Sequence, residues 1–258
     1  MERIEINLSE KFPHLPRAPI VEGVIDIRAH ATVAFEEESV RNAVLLRLSG
    51  YSYLDSPRAF QHELKIEGDK PPHQTIRDLG LKGLRFQSAD TKQLVQFNRD
   101  GFVYSRLEPY PDWDSFAGEG MCLWRIFKEI AQPAEINRIG LRFINRIELP
   151  QDNPRLDDYI QPAPEPPKNL GLPFIGFMHH DTLAVPGYPY AINLIRTIQP
   201  PQAETGKGVG LILDIDVFTI QGVIMDEDRL SRTLEEMRWL KNKAFFGSIT
   251  EKALEEFR

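Results

Sequence analysis

The stretch Arg138-Ile-Gly-Leu-Arg-Phe-Ile-Asn-Arg-Ile-Glu148 decides the fold of this chain. Along it, Leu141 and Phe143 point to one side of an extended backbone, whereas Arg142 and Arg146 alternate with them on the other side. Such a period of two is typical of a strand with one buried face. We therefore predict a long strand that has a core face and a charged face.

The same alternation extends outward from this strand in both directions. Ile20–Arg28 reads as a half-buried strand, and Asp100-Gly101 is a strong hairpin signal because both turn positions require a positive φ. Short strands are also predicted at His62–Glu67, Gly83–Ser88, Gln93–Asn98, Phe102–Leu107, Phe174–His179, Tyr190–Ile198 and Val209–Phe218. Helices are predicted at Phe35–Leu48, from Asp112 or Asp114 to about Ile130, from Asp226 to about Ala244, and from a capping box at Ser248–Glu251.

Helices are too few for a doubly wound parallel sheet, so the order of elements predicts an α+β fold. We expect a mostly antiparallel sheet that a few helices cover on one side. The chain divides into an N-terminal half, 1–133, and a C-terminal half, 134–258, which either stand apart or form one continuous domain. Each half begins with a long strand and ends in helix, although no repeat is visible at residue level. Residues 150–173 hold seven prolines in 24 positions and predict a crossing loop.

Composition limits the classes of function. With 258 residues, 41% apolar and 27% charged, the chain is typical of a globular protein. A net charge of −7 argues against general nucleic-acid binding, which depends on Lys and Arg. The lone cysteine, Cys122, excludes an intramolecular disulfide and a cysteine-based zinc site, and we expect it to be buried in its helix. No membrane span or signal segment is evident, and we expect a cytoplasmic protein.

Charged residues on the strands suggest two kinds of site. Asp214 and Asp216 share one face of a strand, and carboxylates at that spacing can hold Mg²⁺ for phosphoryl chemistry. Otherwise no cofactor is predicted. If the charged face lines a cleft, arginines could grip an acidic ligand there. The alternative to a binding site is that these charged residues form ion pairs with each other across neighbouring strands. The candidate ligand-binding residues are Glu22, Asp26, Arg142, Arg146 and Arg196.

Aromatic residues point to a protein partner. Tyr188 and Tyr190 lie in a turn-rich stretch and could anchor such a partner. Trp239, Phe245 and Phe246 add more apolar surface than one helix needs to cover a sheet. This excess predicts a homodimer through the C-terminal helices or through sheet edges. The competing interpretation is that Phe245 and Phe246 close the end of the monomer's own core.

Four segments in this order carry a resemblance: Leu15–Ile27, Arg138–Ile147, Leu213–Phe218 and Asn242–Thr250. Together they resemble a sporadically distributed bacterial family of about 250 residues with no assigned function, so the resemblance implies no catalytic residues. Patchy distribution implies horizontal transfer, as in accessory or phage-defence loci. We therefore expect a non-enzymatic binding or assembly protein. The alternative is a metal-dependent phosphoryl-transfer or nuclease-like enzyme that uses Asp214 and Asp216.

Overall fold

A nine-stranded antiparallel sheet organises the chain. The computed structural model describes residues 4–65, 68, 73–150, 155–167, 169, 172, 175–201, 206 and 208–258. The strands are β1 (Ile20–Arg28), β2 (Tyr51–Asp55), β3 (Arg58–Lys65), β4 (His73–Leu81), β5 (Gly83–Ser88), β6 (Gln93–Asn98), β7 (Gly101–Leu107), β8 (Arg138–Glu148), β9 (Met178–Ala184), β10 (Tyr190–Gln199) and β11 (Gly210–Thr219). The order in the large sheet is β2-β5-β6-β7-β1-β8-β11-β10-β9, while β3 and β4 form a separate hairpin.

The described helices are α1 (Glu37–Leu45), α2 (Trp113–Ala131), α3 (Glu227–Ser248) and α4 (Glu251–Leu254). Aspartate side chains cap the two long ones. Asp112 accepts from the Ser115 N–H at 2.8 Å, and Asp226 accepts from the Arg229 N–H at 2.8 Å. The predicted capping box at Ser248 is wrong by two residues, because α3 continues through Ser248 and Thr250 caps α4.

The core lies between one face of the sheet and the long helices. Phe102 on β7 meets Trp124 of α2 at a ring-centroid distance of 6.4 Å, and Phe143 on β8 meets Phe116 of α2 at 5.6 Å. Leu141 and Phe143 are fully buried, as the alternation predicts. The α+β fold with a mainly antiparallel sheet is confirmed. Among the described residues, no helix is both long and apolar enough to cross a bilayer.

Several predicted elements need correction. β2 and β4 are missed by the sequence patterns, and β9 begins at Met178 instead of Phe174, which is not among the described residues. Cys122 is exposed on α2 and not buried, because it lies on the outer side of that helix. In the predicted loop 150–173, the described part holds a 3₁₀ turn at Leu156–Asp158 and a bridge between Ile160 and Ile249. Residues 151–154, 168, 170, 171 and 173 of that loop lie outside the described residues.

The strand order has a mirrored arrangement about its centre. β1 and β8 lie side by side and antiparallel, each is flanked by the last strand of its own half, and α2 or α3 follows that strand. The sheet is continuous across this pair, so the two predicted halves share one hydrogen-bonded layer.

Lys241 of α3 lies on the core side of the sheet. Its Nζ atom is 4.3 Å from the centre of the Phe143 ring, and Arg238 adds a second positive charge nearby. Burial, reinforced by Arg238, lowers the pKa of Lys241 to about 7. The folded protein therefore disfavours the charged form of this amine.

We expect Lys241→Met to stabilise the protein at pH 7, by about 1–2 kcal/mol, since methionine fills the same space without a charge. Because the folded-state pKa lies below the unfolded value, wild-type stability gains as pH rises from about 7 towards 10. The variant lacks this gain. Urea unfolding of both proteins at pH 7 and pH 10 measures the difference, and an equal difference at the two pH values would contradict the prediction.

Candidate functional site

The face of the sheet opposite the core carries a row of charged side chains, which we call the charged face. The strand register places Asp26 of β1, Arg138 and Arg142 of β8, and Asp214 and Asp216 of β11 on it. Their strand neighbours point to the core face, where Leu213, Ile215 and Val217 are fully buried. In these three adjacent strands, the alternation in the sequence thus places charged side chains on one face and core side chains on the other.

Arg138 links the two halves of the sheet. Its two terminal nitrogens lie 3.3 Å from an Asp26 carboxylate oxygen on β1 and 3.3 Å from an Asp216 carboxylate oxygen on β11. The guanidinium also lies 4.8 Å from the centre of the Phe218 ring. On the far side, Asp26 is also paired with Arg28, at 3.0 Å. The result is a chain of alternating charges across three central strands.

Arg142 and Asp214 form the tightest pair on this face. The guanidinium donates from Nε at 2.8 Å and from Nη2 at 2.5 Å to the two oxygens of Asp214, which is the bidentate geometry. The Asp214 side chain is 9% exposed, whereas that of Arg142 is 46% exposed. This pairing raises the pKa of Arg142. Two of the five N–H donors of Arg142 are therefore already taken by the chain itself.

Two other predicted arginines are occupied elsewhere. Arg146 donates to Gln199 at 3.0 Å and to the Gly208 carbonyl at 2.7 Å, and it pairs with Glu148. Arg196 lies on the core face, opposite Leu213, where it donates to Asp181 at 2.8 Å. The structure therefore does not bring Arg196 to the charged face.

Two glycines give these arginines room. A Cβ at Gly140 would lie 2.8 Å from the Arg138 guanidinium, and a Cβ at Gly210 would lie 2.6 Å from Nε of Arg146. Both glycines sit in strand positions whose side chains would project onto the charged face. Their missing side chains let long arginine side chains lie flat across the sheet.

Asp26 and Asp216 are less well compensated than Asp214. Burial raises the pKa of both carboxyls above its usual range, although Arg138 and a second arginine, Arg28 for Asp26 and Arg142 for Asp216, oppose this shift. Asp216 also accepts a hydrogen bond from Asn193. A carboxylate has about four lone-pair sites, so Asp216 keeps capacity for a further donor.

A cleft of about 250 Å³ opens beside Asp216. It is lined by Arg142, His180, Asn193, Ile195, Asp214 and Asp216. Strand pairing explains the set, because Asn193 lies opposite Asp216, Ile195 lies opposite Asp214, and His180 of β9 lies opposite Ile195. Glu22 acts on Arg142 electrostatically from β1, the neighbour of β8 on the side away from β11.

Asn193 and His180 line the cleft but are not among the candidate site residues predicted from the sequence. Alternation within β9 or β10 indicates which residues share a face, but only the register across β9, β10 and β11 aligns these two with the aspartates. The sequence alone carries no signal for that register.

The carboxylate pair proposed for Mg²⁺ is held by arginines. In the described part of the chain, no group of three or more His, Cys, Asp or Glu side chains has the arrangement to hold a metal ion. A divalent ion between Asp214 and Asp216 would have to displace Arg142 and Arg138. Mg²⁺ would therefore meet two carboxylates whose charges are already neutralised by arginines.

The aromatic candidates for a partner surface are packed within the chain. Tyr190 is buried and donates to Glu236 at 2.6 Å, and Tyr188 stacks on it at 6.4 Å. Trp239 donates to Glu10 at 2.8 Å. The rings of Phe12 and Phe246 stack at 5.5 Å.

The segment before β1 thus covers part of α3. Phe245 is also buried, and it contacts Phe246 edge-on at 5.2 Å. The excess apolar surface inferred from the sequence is taken up by residues near the N-terminus, which the local pattern does not reveal. With Trp239 and Phe245 packed inside the chain, the sheet edges offer the stronger support for the predicted homodimer.

No protein-family model matches this chain, and comparison with curated proteins finds no match. The resemblance stated above therefore stays a resemblance. What the structure defines is a class: an α+β protein with a nine-stranded antiparallel sheet and a polar cleft on its charged face.

Proposed function

We propose that this chain is a non-enzymatic binding or assembly protein of the cytoplasm, and that the cleft on its charged face takes a cationic group. The observation that carries the proposal is the difference between two residues. One edge of the Arg142 guanidinium is bound by both oxygens of Asp214, whereas Asp216 has lone-pair capacity for a further donor. The cleft can therefore accept a further hydrogen-bond donor at Asp216.

The charges around the cleft support a cation over an anion. The lining holds two carboxylates, Asp214 and Asp216, and one guanidinium, Arg142. Arg138 contacts Asp216 and Glu22 acts on Arg142, so the balance of these charges stays negative. An acidic ligand would meet the negative charge of Asp214 beside Arg142. A guanidinium or ammonium group can instead pair with Asp216 while the existing pairs remain. The ligand class is thus an arginine or lysine side chain, or a small amine.

The test uses two blocked amino acids of the same shape, whose backbone groups carry no charge. We expect N-acetyl-arginine amide to bind at least about tenfold more tightly than N-acetyl-citrulline amide, which lacks the charge. Asp216→Asn should reduce the affinity for the arginine probe about tenfold, because the charge-assisted hydrogen bond is lost. Titration calorimetry measures both, and circular dichroism confirms that the variant is folded.

Asp114→Asn is the matched control, since it removes the same charge from the first turn of α2, away from the sheet. It should bind the arginine probe as the wild type does. Equal binding of citrulline and arginine probes, or tighter binding of N-acetyl-glutamate amide, would refute a cation site. Heat from MgCl₂ or MnCl₂ that disappears in both Asp214→Asn and Asp216→Asn would favour the phosphoryl-transfer alternative.

We also propose that the protein is a homodimer. Support comes from an exposed sheet edge whose features are argued below, and no longer from the C-terminal aromatics. The cytoplasmic setting is supported by the single cysteine, which leaves no disulfide to form within the chain. The accessory or phage-defence locus implied by the resemblance remains an expectation.

A further inference from the structure

β9 is the outer strand at one edge of the large sheet, and it lacks several of the features that protect such edges from pairing. Within the described part of the chain, it pairs with β10 and with no other strand. Its seven residues, Met178–Ala184, include no lysine, proline or bulge, which are the features that commonly block edge-to-edge association. By contrast, the opposite edge strand, β2, is short, is interrupted by a bulge and carries the Asp55–Arg85 ion pair.

Exposed apolar side chains cluster at this edge. Met178 is 72% exposed, Leu183 is 49% exposed, and Ile175 just before the strand is 89% exposed. Side chains of this size on an unpaired edge are a feature of association surfaces.

The hydrogen-bond ladder shows which backbone groups of β9 point away from β10. The Val185 N–H donates to the Tyr190 carbonyl at 3.0 Å, so this opposed pair belongs to the hydrogen-bonded set. Hydrogen-bonded and non-bonded pairs alternate along an antiparallel ladder. The N–H and C=O groups of Met178, His180, Thr182 and Ala184 therefore point outward, away from β10.

A second copy of this chain can pair with that edge in a register centred on His180. A two-fold axis perpendicular to the sheet at His180 places His180 opposite His180 of the partner subunit, with Met178 and Thr182 opposite each other. All of these residues carry outward backbone groups, so their hydrogen bonds can form. In the same register His179 comes opposite Asp181, twice per dimer. A shift that centres the axis on Asp181 would instead oppose the two like-charged carboxylates.

We propose that the protein dimerises by antiparallel pairing of β9 with β9 of a second copy, centred on His180. Asp181 is suited to this role because Arg196 holds one of its oxygens at 2.8 Å while its side chain remains 45% exposed. Since His180 also lines the cleft, the dimer brings two clefts side by side across the new strand pair. This assignment rests on the homodimer proposed above and gives it a surface.

Two substitutions of the exposed His179 test the register. His179→Asp places two carboxylates opposite each other at both ends of the pairing, and we expect the dimer dissociation constant to rise at least tenfold. His179→Lys places a positive charge opposite Asp181 and should leave a dimer. His180→Pro removes the central outward N–H without removing a bond to β10, and it should also give monomers.

Light scattering at several concentrations gives the mass, which is 29.6 kDa for a monomer and twice that for a dimer. Weak dimers are detected at concentrations on the order of 100 μM. If the wild-type protein has the mass of a single chain at that concentration, both the homodimer and its β9 surface are overturned. A dimer that persists in both His179→Asp and His180→Pro would overturn the β9 surface alone. The β3–β4 hairpin, with Phe60 and Ile76 exposed on one face, would then be the next surface to test.

Discussion

Leu141→Asp is expected to leave no soluble, folded protein. Leu141 is fully buried at the centre of the sheet, where it lies opposite Ile25 of β1 and Val217 of β11, which are themselves buried. A carboxylate there would be desolvated among apolar side chains, at a cost of about 3–5 kcal/mol or more. Total stability of a domain is only about 5–15 kcal/mol, so the loss removes most of it.

Leu141→Val is the control for this substitution, because it keeps the position apolar and should cost only about 1 kcal/mol. Soluble yield and the melting temperature measured by circular dichroism report both variants. A soluble Leu141→Asp protein that melts at the wild-type temperature would mean that β8 presents its other face to the helices.

The alternation of residues within a strand is local, which is why the sequence predicts it well. Ile20–Arg28 and Arg138–Glu148 are strands with the bounds that the pattern indicates, and the buried and charged faces are correctly assigned. Asp112 and Asp226 cap their helices for an equally local reason, since each side chain bonds an N–H three residues ahead.

Pairings across the sheet are the part that could not be predicted. Arg142 and Asp214 are 72 residues apart, and their bidentate pair exists only because β8 and β11 are neighbours in one register. The sequence analysis left open whether such charges pair with each other or grip a ligand. The structure pairs them, and it places Arg196 on the other face, where its strand neighbour is a core leucine.

The cover over the C-terminal helix illustrates the same limit. Glu10 and Trp239 are 229 residues apart, yet they share a hydrogen bond of 2.8 Å. Before β1, the chain carries no periodic pattern that would identify it as a cover for α3. Counting apolar residues on α3 alone therefore overestimates the surface that remains for a partner.

Arg138 is the central residue of the ion-pair network, because it contacts both predicted halves of the chain. Asp26 belongs to the N-terminal half, and Asp216 belongs to the C-terminal half. The Arg138 guanidinium opposes the rise that burial causes in the pKa of both carboxyls. Removing Arg138 should therefore lower the free energy of unfolding more than breaking a surface ion pair does.

Arg138→Met is expected to destabilise the protein by about 2–3 kcal/mol at pH 7, because it leaves Asp26 and Asp216 buried with less compensation. Without Arg138 the folded-state pKa values of both carboxyls rise further. Groups with a raised folded pKa contribute stability below their unfolded pKa and lose it as pH increases through the folded pKa. The deficit of the variant should hence be small near pH 4 and grow towards pH 7.

Urea unfolding of wild type and Arg138→Met at pH 4, 5.5 and 7 measures this trend. Adding Asp216→Asn to the variant should recover part of the loss at pH 7, since one of the two uncompensated charges is gone. Arg47→Met breaks the exposed Arg47–Glu129 pair and serves as the control, with a loss below about 1 kcal/mol. A deficit for Arg138→Met that stays the same from pH 4 to pH 7 would show that Arg138 acts through packing on Phe218 and not through its charge.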